Sequence, residues 1–209
     1  AAARRLVEGH KLMEQGGWRG WSPFFMLGQD VAGATLGIVG AGRIGTAVAR
    51  RARAFNMPVL YHNRNRAPQL EAALGAEHRS FDALLAESDY IVMTAPLTAK
   101  TRGLFDATAF AKMKDTAVFV NVARGAVVNE RDLYDALKAG RPWAAGVDVF
   151  EVEPTPAGNP LFSCVNFVAT PHVGSATLAT RTSMAMLAAR NLSAVLSGKR
   201  PLTPVNSTF

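Results

Sequence analysis

Three glycines at fixed spacing, Gly40, Gly42 and Gly45, form a G-x-G-x-x-G pattern. An apolar segment typical of a β-strand precedes them, and a segment with helical periodicity follows. In that context the first glycine permits a tight turn, the second lets the backbone approach a pyrophosphate, and the third lets the helix pack on the strand. Helix N–H groups then face the phosphates. The pattern predicts a dinucleotide site that includes Arg43 and Ile44, against the alternative of a glycine-rich turn without a ligand.

The segment about 20 residues further on carries the residues that would read the adenosine ribose. NAD sites place an acidic side chain there, which binds the ribose hydroxyls. Residues 61–66 read Y-H-N-R-N-R, with no carboxylate. Asn63 does not repel a phosphate, and the Arg64 guanidinium can stack on adenine while binding one. The sequence predicts NADP(H) as the preferred cofactor, with NAD(H) possible, unless Arg64 and Arg66 are only solvated surface charges.

Apolar segments of strand length alternate with amphipathic segments of helix length, which is the pattern of a parallel α/β sheet. The predicted strands are 35–39, 58–61, 90–93, 117–121, 144–149 and 167–169. The predicted helices are 44–54, a short turn near 69–74, 81–88, 107–112 and 130–139. The predicted fold class is α/β, a doubly wound, Rossmann-like parallel sheet.

The two ends of the chain differ from this middle part. Residues 3–15 are predicted to be helical, and the aromatic, glycine-rich segment 18–26 that follows fits neither a regular helix nor a strand. We expect it to be an arm lying on an apolar surface, such as a partner subunit. A long helix is predicted over 177–196. The predicted organisation is one dinucleotide-binding domain over 1–209, with a helix and dimer arm (1–27), a Rossmann core (28–175) and a C-terminal helix and tail (176–209).

Composition narrows the classes of function. The chain has 209 residues and a formal charge of +7, but its basic residues are scattered and no aromatic-basic motif occurs, so no nucleic-acid partner is predicted. No apolar run approaches the roughly 18 residues of a membrane span, and no signal peptide or metal site is predicted. Cys164 is the single cysteine. That excludes an internal disulfide and favours the cytoplasm.

Three further motifs follow in order along the chain. Residues 120–125 read V-N-V-A-R-G, residues 146–154 read G-V-D-V-F-E-V-E-P, and residues 170–175 read T-P-H-V-G-S. Together with the glycine pattern they resemble the D-isomer-specific 2-hydroxyacid dehydrogenase family over nearly the whole chain. Within that family, the chain is most similar to the NADPH-using glyoxylate/hydroxypyruvate reductases.

The resemblance implies a catalytic group that reduces a small 2-keto acid. Arg124 would hold the carboxylate and keto oxygen of the substrate, since a guanidinium suits that paired geometry. His172 would donate the proton to the developing alkoxide. Glu153 would hydrogen-bond His172 and favour its charged form. The preference for Glu153 over Glu151 rests on the spacing found in the family.

The resemblance also implies contacts to the cofactor. Asp148 matches a position near the nicotinamide, and the loop with Thr94, Pro96 and Thr101 matches one beside the nicotinamide ribose. The other implied cofactor contacts are Val122, Ala123 and Gly174. His10, His62 and His78 are interpreted as surface or adenosine-side residues, and Cys164 as an inert thiol.

Other functions stay open at this stage. Family members usually carry about a hundred more N-terminal residues that form most of a substrate domain, so turnover by this chain alone is not expected, and a homodimer is expected through the N-terminal segment. Some relatives are dinucleotide-sensing corepressors, and others act on phosphite, formate or phosphoglycerate. Glu153 speaks against the formate type, which tends to have Gln there. Glyoxylate, hydroxypyruvate, 2-ketogluconate and 3-phosphoglycerate-type acids all remain possible substrates.

Overall fold

A sheet of seven parallel strands forms the centre of the computed structural model, which describes residues 1–206. The strands are β1 (Leu36–Val39), β2 (Val59–His62), β3 (Glu77–His78), β4 (Tyr90–Met93), β5 (Val118–Asn121), β6 (Ala144–Val147) and β7 (Phe167–Ala169). Their order across the sheet is β3-β2-β1-β4-β5-β6-β7. The direction of winding therefore reverses at β1, and ligands of such sheets bind outside the carboxyl ends of the strands at that point.

Helices connect the strands. They are α1 (Leu6–Glu14), α2 (Arg43–Ala52), α3 (Pro68–Leu74), α4 (Phe81–Glu87), α5 (Ala107–Lys112), α6 (Glu130–Lys138) and α7 (Leu178–Leu196). The chain divides into two compact units, Ala1–Pro171 and His172–Phe209. The first contains the whole sheet with α1 to α6, and the second contains α7.

Side chains of successive strand residues enter two separate cores. In β1, Ile38 belongs to a cluster with Leu70 of α3, whereas Val39 belongs to a cluster with Phe110 of α5 and Leu133 of α6. Alternation of this kind is expected when both faces of a sheet are covered. The predicted doubly wound α/β fold is confirmed.

Most predicted elements lie close to their observed bounds, and the differences have local causes. The strand predicted over 144–149 ends at Val147, where the chain turns away from the sheet. The turn predicted near 69–74 is a helix that begins with Pro68 in its first turn. The two-residue strand β3 was not predicted, since Glu77 and His78 are too few and too polar to form a pattern.

The ends of the chain agree in part with their predictions. The first helix is shorter than predicted, because Arg5 has a left-handed φ of 52° directly before it. Segment 18–26 contains neither helix nor strand, and Trp21 and Phe24 are 83% and 85% exposed. Positions 207–209 of the predicted tail lie outside the described residues. Within the described part of the chain, none of the helices has the length and apolar character that crossing a membrane needs. The division into 1–27, 28–175 and 176–209 stays a prediction.

Replacing serine by alanine should change the stability of the fold in opposite directions at the two ends of α4, at Ser80 and at Ser88. The Ser80 hydroxyl accepts the N–H of Ala83 at 3.2 Å, whereas the buried Ser88 hydroxyl has no hydrogen-bond partner among the described residues. We expect Ser80→Ala to lower the free energy of unfolding by about 1 kcal/mol through loss of the cap. Ser88→Ala should raise it by about 1 kcal/mol, because an unsatisfied buried group is removed. Urea unfolding of both variants measures this, and equal losses would contradict it.

Candidate functional site

The turn after β1 can be built only with glycine at its first position. Gly40 has a φ of +104°, and a Cβ there would lie 2.3 Å from the amide nitrogen of Ala95. A Cβ on Gly45 would lie 2.4 Å from the carbonyl oxygen of Gly40 and 3.0 Å from the side chain of Ile38. Close contact therefore places α2 directly on the end of β1. These are the steric roles that the pattern predicts for its first and third glycines.

Gly42 differs from the other two glycines, since among the described residues no atom beyond its own stretch of chain lies within 4 Å of the position its Cβ would take. It is the N-cap residue of α2, and that helix has no side-chain cap and no acidic residue in its first turn. Arg43 and Ile44 are exposed there. The helix N-terminus thus presents N–H groups and positive potential to open space, which suits a phosphate group. The residues present fit a bound pyrophosphate.

Both neighbouring strands hold the glycine turn. On the side of β2, the Gly40 N–H donates to the carbonyl of His62 at 3.0 Å, and the Ala41 N–H donates to Oδ1 of Asn63 at 2.8 Å. On the side of β4, the Thr94 hydroxyl donates to the carbonyl of Gly40 at 2.6 Å. The Ala41 bond orients the Asn63 amide, so that its Nδ2 is the end left to donate to a ligand. Asn63 and Thr94 therefore shape the turn.

The two arginines after β2 have different environments. Arg66 makes a paired contact with Glu71, at 2.7 and 3.0 Å, and the Tyr61 hydroxyl donates to the same carboxylate. Hydrogen bonding from Arg66 lowers the pKa of Glu71, while burial raises the pKa of Tyr61. Arg64 is exposed and has no hydrogen bond or ion pair in the described part of the chain. Arg64, which the sequence predicts as the phosphate contact, therefore differs from Arg66, whose guanidinium is bound to Glu71.

Two histidines lie beside Asn63. His62 ends β2 and its Nδ1 is 3.1 Å from the carbonyl of Arg79, while Nε2 of His78 in β3 is 3.4 Å from the carbonyl of Asn63. Their rings are stacked with centroids 6.2 Å apart. The pairing of β3 with β2 creates this arrangement. The interpretation of both histidines as surface or adenosine-side residues stays a prediction.

The loop after β4 is closed by a threonine. The hydroxyl of Thr101 donates to the carbonyl of Pro96 at 2.7 Å and accepts the N–H of Thr98 at 2.8 Å. Pro96 and Thr101, both predicted as cofactor contacts, are therefore held together by the loop itself.

A buried amide shapes the turn after β5. Asn121 accepts the N–H of Ala123 at 3.0 Å and donates to the carbonyl of Arg124 at 3.0 Å. Val122 is 40% exposed, and the exposed Arg124 has its Nη1 at 2.6 Å from the carbonyl of Ala123. Asn121 was not predicted as a site residue. It could have been recognised from the sequence as an amide side chain at the end of an apolar strand, directly before the predicted cofactor contacts.

The segment after β6 lies against this turn. A Cβ on Gly125 would be 1.8 Å from the carbonyl carbon of Phe150, so the two backbones meet without room for a side chain. The N–H of Phe150 donates to Oε1 of Glu153 at 2.9 Å. At the start of the segment, Asp148 accepts the hydroxyl of Thr170 at 2.5 Å. Arg124 and Glu153 therefore belong to two segments in direct contact.

The remaining predicted residues, His172 and Gly174, belong to the second unit. His172 has a φ of 53°, a left-handed conformation that is uncommon outside glycine and occurs often at functional sites. Its pairing with Glu153 stays a prediction. Cys164 is buried, and burial raises the pKa of its thiol, so it stays protonated at neutral pH. Among the described residues, no three His, Cys, Asp or Glu side chains are grouped as a metal ion would need.

Comparison with known proteins agrees with this geometry. Residues 1–174 match the model of the D-isomer specific 2-hydroxyacid dehydrogenase, NAD binding domain. The chain belongs to this family, and its first unit is a nicotinamide-dinucleotide-binding domain of Rossmann type.

Similar proteins cover almost all of the chain. A glyoxylate reductase of Thermococcus kodakarensis is 49% identical over 99% of the chain, and a glyoxylate reductase/hydroxypyruvate reductase of Mus musculus is 48% identical over 94%. The TT0316 protein of Thermus thermophilus has a TM-score of 0.93 at 45% identity and covers 99% of the chain. The chain spans 63%, 60% and 64% of these three proteins, respectively.

Because the space around Gly42 is open, a substitution there should weaken cofactor binding and leave the fold intact. The methyl group of Gly42→Ala would meet no other part of the described chain, so we expect a small change in thermal stability and an NADPH affinity at least about ten-fold lower. Gly45→Ala is the matched control, because its Cβ meets the backbone 2.4 Å away and should lower the melting temperature. Thermal unfolding and fluorescence titration with NADPH measure both. Unchanged affinity in Gly42→Ala would show that the turn does not contact the cofactor.

Proposed function

We propose that the protein to which this chain belongs reduces a small 2-keto acid, of the glyoxylate or hydroxypyruvate type, to the D-2-hydroxy acid with NADPH. The observation that carries the proposal is the exposed guanidinium of Arg124 at the carboxyl end of β5. That strand lies two places from β1 and its glycine turn, at the edge where such sheets bind ligands. The names of the relatives at 49% and 48% identity support the same reaction.

Residues on the β2 side support NADPH over NADH. Residues 61–66 include no carboxylate to bind the ribose hydroxyls, and the oxygen of Asn63 is already engaged by Ala41, which leaves an amide donor for the ligand. Arg66 is neutralised by Glu71, so Arg64 is the guanidinium left for a 2′-phosphate. A phosphate accepts hydrogen bonds from both groups.

The cofactor, when bound, supplies the hydride for the keto carbon. Arg124 then binds the carboxylate and the keto oxygen of the substrate, and keeps that oxygen polarised as negative charge develops on it. His172 gives its proton to the same oxygen, which completes the alcohol. Glu153 favours the charged imidazolium before the transfer. The turn made by Val122 and Ala123, together with Asp148 and Gly174, would line the nicotinamide side.

The N-terminal segment supports a homodimer as part of the proposal. Trp18, Trp21 and Phe24 are 50%, 83% and 85% exposed, and a group of large apolar side chains of this kind usually marks an interface. We propose that a second copy covers them. A cytoplasmic location remains a prediction from the single cysteine.

Arg64 and Arg66 form a matched pair for testing the cofactor preference. Arg64→Ala should weaken NADPH binding about ten-fold to a hundred-fold, the value of one charge-assisted phosphate contact, and should change NADH binding much less. Arg66→Ala should change the affinities for both cofactors by no more than about two-fold, because its guanidinium already binds Glu71. Fluorescence titration measures all four affinities. Equal losses for NADPH and NADH in Arg64→Ala would assign this residue to adenine stacking.

The catalytic roles predict separate effects on rate and on pH dependence in the intact enzyme. His172→Ala should lower kcat by about 10² to 10⁴, the usual contribution of positioned proton transfer, with little change in NADPH affinity. Glu153→Gln keeps a hydrogen-bonding oxygen but removes the charge. Reduction needs the imidazolium, so its loss of rate with rising pH should begin at lower pH in this variant.

Glu151→Gln is the control for the pH measurement, since Glu151 is also exposed and lies two residues away. Its profile of kcat/KM against pH should coincide with that of the wild type. A shift in Glu151→Gln but not in Glu153→Gln would transfer the supporting role to Glu151.

A further inference from the structure

We infer that Glu130, the first residue of α6, is a positioning residue that holds segment 148–159 in place and thereby orients Glu153. Segment 148–159, which joins β6 to the 3-10 helix Pro160–Ser163, is called the β6 loop below. The inference rests on the proposed function, because it assigns a role toward a residue of that reaction.

The carboxylate of Glu130 is attached to the β6 loop at two points. Its Oε1 accepts the backbone N–H of Glu151 at 2.7 Å, and its Oε2 accepts Nδ2 of Asn159 at 2.8 Å. The first contact spans 21 positions in sequence and the second spans 29, so neither belongs to local helix structure. One side chain therefore binds the loop to α6 both near its start and at its end.

The orientation of Asn159 makes this contact specific. Its Oδ1 accepts the N–H of Leu161 at 3.0 Å, as the cap of the 3-10 helix Pro160–Ser163. Its Nδ2 must then face Glu130. The site presents two donors to residue 130, and a carboxylate is the side chain that supplies two acceptors. An amide at position 130 would satisfy only one of them.

The conformation of the β6 loop determines where the Glu153 side chain lies. Phe150 donates its N–H to Glu153, and the next N–H along the chain, that of Glu151, is the one that Glu130 binds. On its other side, Phe150 lies against Gly125, the neighbour of Arg124. The loop is thus held between the contact at Gly125 and the carboxylate of Glu130. Loss of the second support should let Glu153 move relative to Arg124. The cofactor side at β1 and β2 should stay unchanged, and Asp148, at the start of the loop, keeps its own hydrogen bond from Thr170.

A swap of side chains tests the inference. Glu130→Gln places an amide donor against Asn159, and Asn159→Asp places a carboxylate against Glu130, so each single variant breaks a contact. In the double variant, Glu130→Gln with Asn159→Asp, amide and carboxylate exchange places. Every donor again meets an acceptor, and the total charge equals that of the wild type.

Two readouts in the intact enzyme are compared. In each single variant, the amide hydrogens of Phe150 and Glu151 should exchange with solvent at least about ten-fold faster than in the wild type. It should also lower kcat for 2-keto acid reduction about ten-fold to a hundred-fold, the effect of misplacing a supporting group. The dissociation constant for NADPH should stay within about two-fold. The double variant should recover most of the lost protection and most of the lost kcat.

Several results would overturn the inference. Faster exchange with an unchanged kcat would make Glu130 a purely structural residue, and unchanged exchange would show that the loop does not depend on it. A double variant as slow as the single ones would exclude the paired contact. Glu153→Gln separates the proposals: if it leaves rate and pH profile unchanged while the Glu130 variants lower kcat, the proposed role of Glu153 is wrong. A wild-type enzyme that reduces no 2-keto acid overturns the proposed function, and amide exchange then decides alone whether Glu130 holds the loop.

Discussion

The hydrogen bonds that hold the glycine turn between β2 and β4 are the constraint on which the cofactor side of the site depends. The turn follows the central strand β1, and its backbone is bound by Asn63 from one side and by Thr94 from the other. Since α2 begins directly after the turn, the same contacts fix the position and direction of its N-terminus. Residues at the carboxyl ends of β2 and β4 thus converge on the backbone segment that follows β1, with Gly42 facing open space at its centre.

A second close contact organises the substrate side. The turn after β5 and the β6 loop touch at Gly125 and Phe150, where no side chain would fit. Arg124 belongs to the first of these two segments and Glu153 to the second. The proposed chemistry needs a cation for the substrate and a carboxylate for the proton donor, each held in a fixed position. Backbone packing on one side and the Glu130 carboxylate on the other supply that rigidity.

The sequence predicted the fold well because its strands are short apolar segments bounded by turn residues. The strand over 90–93 and the helix over 107–112 were predicted with their observed bounds. By contrast, β3 exists only because Glu77 and His78 pair with β2, and such pairing leaves no local pattern.

Contacts across many residues were equally hidden from sequence reasoning. The bond from Ala41 to Asn63 spans 22 positions, and the one from Glu151 to Glu130 spans 21. The same limit applies to the two arginines. The sequence predicted Arg64 as the phosphate contact, but it did not reveal that Arg66 is bound to Glu71. The glycine turn could be predicted because its spacing encodes steric needs directly, whereas the partners of its backbone could not.

We propose that this site reduces a 2-keto acid with NADPH. Steady-state kinetics of the intact enzyme, with a panel of 2-keto acids and both reduced cofactors, measures this reaction and its cofactor preference. We expect reduction of glyoxylate and hydroxypyruvate, with kcat/KM for NADPH at least about ten-fold above that for NADH, as one charge-assisted phosphate contact would provide. No reduction of any 2-keto acid, or a preference for NADH, would contradict it.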